Sequence, residues 1–127
     1  HCMKPLFIVY FISFVALCTG CVVEENLNVS PHEFADIVKN NPDIQIIDVR
    51  TPQEWKEGKV TSAKCIDYFD PDILEKIESL DKDKPVLLYC ATGGRSSEIA
   101  EILKEYGFKK IYNLKGGYKD LVKEGVH

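Results

Sequence analysis

A cysteine-containing loop between a predicted buried strand and a predicted helix most constrains the fold of this chain. Residues 85–89 form an apolar run of strand length that ends at Cys90. Residues 96–106 carry apolar side chains at helical spacing and end before Gly107. A buried strand that turns directly into a helix is typical of α/β proteins with a parallel sheet. The connecting loop consists of Ala91, Thr92, Gly93, Gly94, Arg95 and Ser96.

The composition of this loop favours an ionised sulfur at Cys90. Its two glycines allow the backbone to curl so that several N–H groups point inward. The N-terminus of the following helix adds a partial positive charge, and Arg95 adds a full one. We therefore predict that Cys90 is a thiolate nucleophile. Arg95 is expected to face the bound anion or to brace the loop, and Ser96 to cap the helix. The Thr92 hydroxyl is expected to contact substrate or solvent.

The rest of the chain alternates predicted strands and helices. Two capping boxes, at residues 30–33 and 51–54, mark helix starts. A third helix is expected to follow Asp72, with an apolar stripe of Ile73, Leu74, Ile77 and Leu80. Strands are predicted over residues 44–48, 85–90 and 110–114, a further strand is predicted within residues 60–66, and a last helix is predicted after residues 116–117. This order predicts an α/β fold with a central, mostly parallel sheet of about five strands and helices on both faces. Cys90 then lies at the carboxyl end of a strand, where such folds bind ligands.

The first twenty residues resemble a secretory signal peptide. After Met3 and Lys4, residues 6–17 are apolar except for one serine, a stretch too short for a membrane span. The dipeptide at 20–21 resembles the processing site of bacterial lipoproteins, although Cys18 stands where that pattern usually has leucine. We expect a signal peptide over residues 1–20, and lipid on Cys21.

This interpretation divides the chain into three parts and predicts export to the periplasm or cell envelope. Residues 1–2 precede the expected initiator and are interpreted as not native. Residues 21–28 are expected to form a tether, and residues 29–127 one domain. Simple secretion and an uncleaved anchor are the alternatives for the N-terminal segment.

Charge and cysteine usage exclude several classes of function. The formal net charge of −4 gives no support for nucleic-acid binding. Cys65 and Cys90 do not form a disulfide framework, nor do they have the spacing of a zinc site. Cys65 is interpreted as a strand residue, with a resolving thiol for Cys90 as the alternative. No metal or other cofactor is expected, and we expect a monomer.

Four segments of the chain together resemble single-domain rhodaneses. The segments are IDVRTPQEW at 47–55, GKV at 58–60, CATGGRS at 90–96 and LKGGY at 114–118. The resemblance covers residues 27–125, with a lysine at position 59 where the family often has histidine. It implies a three-layer rhodanese-like fold and a sulfurtransferase that carries a persulfide on Cys90. It also implies that Asp48 and Arg50 brace the loops around the site.

The residues present suit persulfide chemistry without a general acid or base. A thiolate that attacks the outer sulfur of thiosulfate expels sulfite, which leaves as a stable anion. The histidines are His1, His32 and His127, and none is expected near the loop. The expected partners are a small-molecule sulfur donor and a thiol or cyanide acceptor. Because Ala91 and Thr92 carry no charge, we expect weak thiosulfate turnover and a different natural donor.

Two other functions remain open at this point. Rhodanese-like domains also serve as non-catalytic binding modules, although those commonly lack the cysteine. Cysteine phosphatases and arsenate reductases also use a loop with cysteine and arginine. Their loop is one residue longer than the four residues between Cys90 and Arg95, and expelling an alkoxide calls for a general acid that the sequence does not offer.

Overall fold

A computed structural model describes residues 25–126, which contain five strands and five helices. The strands are β1 (Glu25–Val29), β2 (Gln45–Asp48), β3 (Lys64–Cys65), β4 (Val86–Tyr89) and β5 (Lys110–Leu114). The helices are α1 (Pro31–Asn40), α2 (Pro52–Lys56), α3 (Ile73–Glu78), α4 (Gly94–Glu105) and α5 (Gly117–Lys123).

The strands form one sheet in the order β1-β5-β4-β2-β3, and every neighbouring pair is parallel. The predicted α/β architecture is therefore confirmed. Strand β4 lies at the centre, and all four of its residues are buried. A parallel strand covered on both faces reads as a continuous apolar run, which is why this strand was recognisable in the sequence.

The edge strand β1 differs from the sequence prediction. Residues 25–28, assigned above to a tether, pair with residues 110–113 of β5. Their sequence, Glu-Asn-Leu-Asn, lacks a buried apolar face, and their backbone pairing with β5 orders them. Residues 21–24, the signal peptide and the lipidation site at Cys21 lie outside the described residues.

Two apolar clusters cover the two faces of the sheet. One cluster joins β4 residues such as Leu88 to α3 and α4 through Ile77 and Leu103. The other joins Leu87 of β4 to α1 and α5, the latter through Leu121. Alternate residues of β4 thus point to opposite layers. The result is a three-layer arrangement that holds β4, and the loop after it, between helices.

The local signals predicted helix starts better than helix faces. Ser30 accepts a hydrogen bond from the Glu33 N–H at the start of α1, and the second predicted capping box is complete at α2. The apolar stripe predicted for α3 was wrong at Leu74, which is 49% exposed. The strand predicted within residues 60–66 is confirmed and is the short β3. No helix within residues 25–126 has the length and apolarity that a bilayer span requires.

Candidate active site

The loop between β4 and α4 encloses the sulfur of Cys90. The Cys90 side chain is buried, and its Sγ accepts a hydrogen bond from the Gly93 N–H at 3.0 Å. Gly93 is the N-cap of α4, with a φ of 108° in the left-handed region. Glycine suits this position because a Cβ strains that backbone conformation. The glycine therefore allows the chain to turn back so that its own amide points at the sulfur.

The loop lowers the pKa of the Cys90 thiol. Burial alone raises this pKa, because it disfavours the charged thiolate. Hydrogen bonds from the Ser96 side chain and from the backbone N–H groups of Ser96, Gly93 and Thr92 act in the opposite direction. Together they outweigh burial, and the net pKa falls below its usual value. The site therefore favours a buried thiolate that is stabilised by amides and one hydroxyl.

Ser96 lies inside the first turn of α4, so the prediction that it caps this helix was wrong. Its side chain is fully buried, and its Oγ lies 3.4 Å from the Cys90 Sγ and 3.2 Å from the Gly93 carbonyl oxygen. The hydroxyl faces inward because α4 begins two residues earlier than the periodicity indicated. It thus donates to the Cys90 sulfur, while Gly93 occupies the cap position.

Arg95 forms a two-point ion pair with Glu54 of α2. The guanidinium donates to both carboxylate oxygens, at 3.0 and 2.8 Å. Hydrogen bonds from Arg95 are the largest cause that lowers the pKa of Glu54 to about 2. Glu54 also accepts the N–H of Thr51 in the capping box, so one carboxylate joins α2 to the loop. This geometry corresponds to the bracing role for Arg95, while its charge still interacts favourably with Cys90.

Asp48 and Arg50 form a second ion pair, which is almost fully buried at the end of β2. The Arg50 Nη2 lies 2.8 Å from the Asp48 carboxylate and 2.7 Å from the carbonyl oxygen of Gly58. The guanidinium also lies over the ring of Tyr118, with 4.1 Å between its central carbon and the ring centroid. The pair therefore ties the end of β2 to the turn after α2 and to α5.

The start of α5 holds the first residues of the loop, a contact that the sequence analysis missed. The Tyr118 N–H donates to the Cys90 carbonyl at 2.8 Å, and the Lys119 N–H donates to the Ala91 carbonyl at 3.2 Å. Gly117 packs so closely that a Cβ there would lie 2.5 Å from the Ala91 backbone. The LKGGY segment was the available signal, but its local pattern indicated a turn before a helix and its resemblance indicated the family, and neither indicated a contact with the loop.

The structure argues against Cys65 as a resolving thiol. Strand β2 lies between β3, which carries Cys65, and β4, which leads to Cys90. Two strand spacings place their backbones about 10 Å apart, beyond the ~7 Å limit for a disulfide. Burial raises the pKa of the Cys65 thiol, which further lowers its reactivity.

The described part of the chain offers no histidine or metal centre beside the loop. His32 is its one histidine, and it lies on α1 at 3.3 Å from Glu124. Within residues 25–126 no group of three or more His, Cys, Asp or Glu side chains is placed to hold a metal ion.

These features define an α/β protein with a buried cysteine whose sulfur accepts hydrogen bonds from backbone amides. The family model of the rhodanese-like domain matches residues 30–124. The chain therefore belongs to the rhodanese-like family. A relative from Coxiella burnetii, named thiosulfate sulfurtransferase GlpE, is 37% identical over 91 residues, which cover 72% of this chain and 82% of that protein. The chain also matches a Bacillus subtilis protein, YqhL, with 40% identity over 75 residues, 59% of this chain. That match spans just 58% of the B. subtilis protein.

A solved structure supports the same assignment. The crystal structure of a rhodanese-related protein from Thermoplasma volcanium superposes with a TM-score of 0.69 and 25% sequence identity. The match covers 80% of this chain and 95% of that one. The rhodanese-like fold expected from the sequence is thus confirmed, and at the level of the family the chain is sulfurtransferase-like.

Proposed function

We propose that this protein transfers a sulfane sulfur through a persulfide on Cys90, from thiosulfate or a related donor to a thiol or cyanide. The observation that carries the proposal is the 3.0 Å hydrogen bond from the Gly93 N–H to a buried sulfur whose pKa is lowered. A site that stabilises one sulfur anion through amides also stabilises the negative charge of a persulfide at the same place.

The proposed reaction has two displacement steps at sulfur. In the first, the Cys90 thiolate attacks the transferable sulfur of the donor, a new S–S bond forms, and the bond that held this sulfur breaks, which is an S–S bond in thiosulfate or a persulfide and a C–S bond in mercaptopyruvate. With thiosulfate, the electron pair of that bond leaves on sulfite. In the second, a thiolate or cyanide attacks the outer sulfur of the persulfide and releases the Cys90 thiolate. With thiosulfate, neither step requires proton transfer to the leaving group, in keeping with the absence of a histidine beside the loop within residues 25–126.

Thiosulfate itself is proposed to be a poor donor. Both arginines near the loop are paired with carboxylates, Arg95 with Glu54 and Arg50 with Asp48. Neither guanidinium therefore offers an unshared charge to a dianion. A comparison of kcat/KM for thiosulfate, mercaptopyruvate and small persulfides tests this point, and a strong preference for thiosulfate would contradict it.

Intact-mass measurement after treatment with a sulfur donor tests the persulfide directly. The wild type is expected to gain one sulfur atom, which cyanide or a reducing thiol then removes. Cys90→Ser is expected to gain none, whereas Cys65→Ser, the matched cysteine control, is expected to gain one. An unchanged wild-type mass with every donor would instead support a non-catalytic binding module.

We also propose that the protein is exported and carries lipid on Cys21. The support is the sequence pattern of residues 1–21, since the structure describes residues 25–126. Labelled palmitate is expected to enter the wild type and not Cys21→Ala. Equal labelling of the two proteins, or none, would refute this assignment.

A further inference from the structure

Two large apolar side chains are exposed to solvent on the segment that follows β3. Phe69 is 67% exposed and Leu74 is 49% exposed. Leu27 on β1 and Val122 on α5 are the other large apolar residues in the 25–126 range with comparable exposure, and they lie on separate elements. Single exposed apolar side chains are ordinary, but two on one short segment are typical of an interaction surface.

Phe69 is held in place by its neighbours. Its ring packs edge-on against the ring of Tyr68, with 5.1 Å between the centroids. Tyr68 in turn donates a hydrogen bond from its hydroxyl to the carboxylate of Glu98 on α4. The backbone is fixed as well, since the Phe69 N–H donates to the Asp67 carboxylate and the Asp70 N–H donates to the Asp67 carbonyl. An exposed aromatic ring that is already ordered suits an interface, because little further freedom is lost when a partner contacts it.

The same segment carries a concentrated negative charge. Residues 67–78 contain five carboxylates and one lysine, a net charge of −4 that equals the formal net charge of the whole chain. Lys76 pairs with Asp70. The other four carboxylates form no ion pair within the described range, and they belong to Asp67, Asp72, Glu75 and Glu78. Most of this charge is therefore not neutralised by the protein itself.

This 67–78 surface lies beside the loop of Cys90. Cys65, the last residue of β3, pairs with Asp48 of β2, which pairs with Tyr89 at the end of β4. The chain therefore leaves β3 and β4 at the same edge of the sheet. Tyr68 contacts α4 through Glu98, and the charge of Arg95 acts on its phenol. A molecule bound to this surface therefore lies next to the loop.

We propose that the 67–78 surface docks a cationic, amphipathic segment of another protein. Phe69 and Leu74 pack against apolar side chains of that segment, and its lysines or arginines face the surrounding carboxylates. Charge complementarity selects this occupant, because a basic segment is attracted to the surface at low ionic strength. A second copy of this chain has the same negative net charge and is repelled, and an anionic membrane is disfavoured by the same repulsion. The inference does not depend on sulfur transfer.

Three labelled peptides of equal length test the apolar and the charged contacts separately by fluorescence anisotropy at low salt. One peptide has lysine and leucine at helical spacing, the second has lysine and serine, and the third has glutamate and leucine. The lysine–leucine peptide is expected to bind most tightly. Replacement of its leucines by serine is expected to weaken binding by about tenfold, as for the loss of a buried apolar side chain. The glutamate–leucine peptide is expected not to bind.

Phe69→Ser and Leu74→Ser test the apolar contacts on the protein. Each is expected to weaken binding of the lysine–leucine peptide by about tenfold, as for the truncation of an interface anchor. Leu27→Ser is the matched control, because Leu27 is a similarly exposed leucine on β1, at the opposite edge of the sheet from β3. It is expected to leave the affinity unchanged. All three side chains are exposed, so urea unfolding is expected to show near-normal stability for each variant.

A double substitution, Asp72→Asn with Glu75→Gln, tests the charges. It is expected to weaken binding of the same peptide by about fivefold at low salt, as for two exposed ion pairs. The effect is expected to vanish near 1 M salt, where the screening length is about 3 Å. The control is Glu33→Gln with Asp36→Asn, which removes two exposed charges from α1 on the opposite face of the sheet from α3. It is expected to change the affinity by less than about twofold.

Three outcomes would overturn the inference. The first is equal affinity of the wild type and Phe69→Ser for the lysine–leucine peptide, and the second is equal binding of the glutamate–leucine peptide. The third comes from sedimentation equilibrium of the protein alone. A mass that rises with concentration in the wild type, but not in Phe69→Ser, would assign the surface to a second copy of the chain. None of these measurements involves Cys90, so the proposed sulfur transfer is tested separately.

Discussion

Gly117 and Gly125 form a natural pair of positions for testing how α5 supports the loop of Cys90. Their φ angles are nearly equal, +67° and +66°, so alanine at either position carries a similar left-handed backbone penalty of about 1–2 kcal/mol. A Cβ at residue 125 would meet no atom within 4 Å. A Cβ at residue 117 would lie 2.5 Å from the backbone carbon and oxygen of Ala91 and 2.6 Å from the Cys90 carbonyl. Relief of that overlap requires backbone movement, which adds about 1–3 kcal/mol.

Urea unfolding of the two variants measures the difference. Gly117→Ala is expected to lower the free energy of unfolding by about 2–5 kcal/mol, and Gly125→Ala by about 1–2 kcal/mol. Because the displaced atoms belong to the loop, Gly117→Ala is also expected to slow alkylation of Cys90 at neutral pH, while Gly125→Ala leaves that rate unchanged. Equal destabilisation by both substitutions, with normal alkylation in both, would refute the view that this contact positions the loop.

Three further predictions concern the charges and thiols of the site. Hydrogen bonds from Arg95 lower the pKa of Glu54 from 4.5 to about 2. The ionised carboxylate therefore stabilises the fold above pH 4.5, and this contribution is lost as the pH falls toward 2. Because this ion pair is partly exposed, Glu54→Gln should lower the free energy of unfolding in urea by only about 1–2 kcal/mol at pH 7. The substitution should also weaken the dependence of this free energy on pH between pH 5 and 2. A dependence equal to that of the wild type would contradict the prediction. Ser96→Ala should shift the pH profile of Cys90 alkylation to higher pH and slow the reaction at pH 7 by about tenfold. The control Ser97→Ala should change neither, because the Ser97 hydroxyl donates to the Gly93 carbonyl. Identical profiles for the two variants would exclude the contact between the Ser96 hydroxyl and the sulfur. Cys65→Ser should retain near-normal sulfur turnover in a steady-state assay, and a folded but inactive variant would restore a role for that thiol.

Features governed by local physics were predictable from the sequence. Capping boxes identified the starts of α1 and α2, and the apolar run at 86–89 identified the central strand. The two glycines of the loop indicated a backbone that turns its amides toward Cys90. These signals depend on neighbours a few residues apart, so no knowledge of the fold is needed to interpret them.

Features that depend on packing were predicted poorly. Strand β1 has only two apolar residues, Leu27 and Val29, of which Leu27 is exposed, and its pairing with β5 joins residues 85 positions apart. Leu74 has the correct helical spacing for a buried face, but α3 turns it outward. Ser96 carries a side chain typical of a helix cap, yet Gly93 occupies the cap and Ser96 lies within the first turn of the helix.

By itself, the sequence determined the fold class and predicted the cysteine of the site and the kind of loop that holds it, because each is written in short-range patterns of residue size, polarity and backbone freedom. Only the tertiary structure decided which groups support that loop. Arg95 meets Glu54 across 41 positions, and the start of α5 reaches back to the carbonyl of Cys90. Such contacts follow from the order of strands in the sheet, which brings distant segments to one edge and which no local pattern specifies.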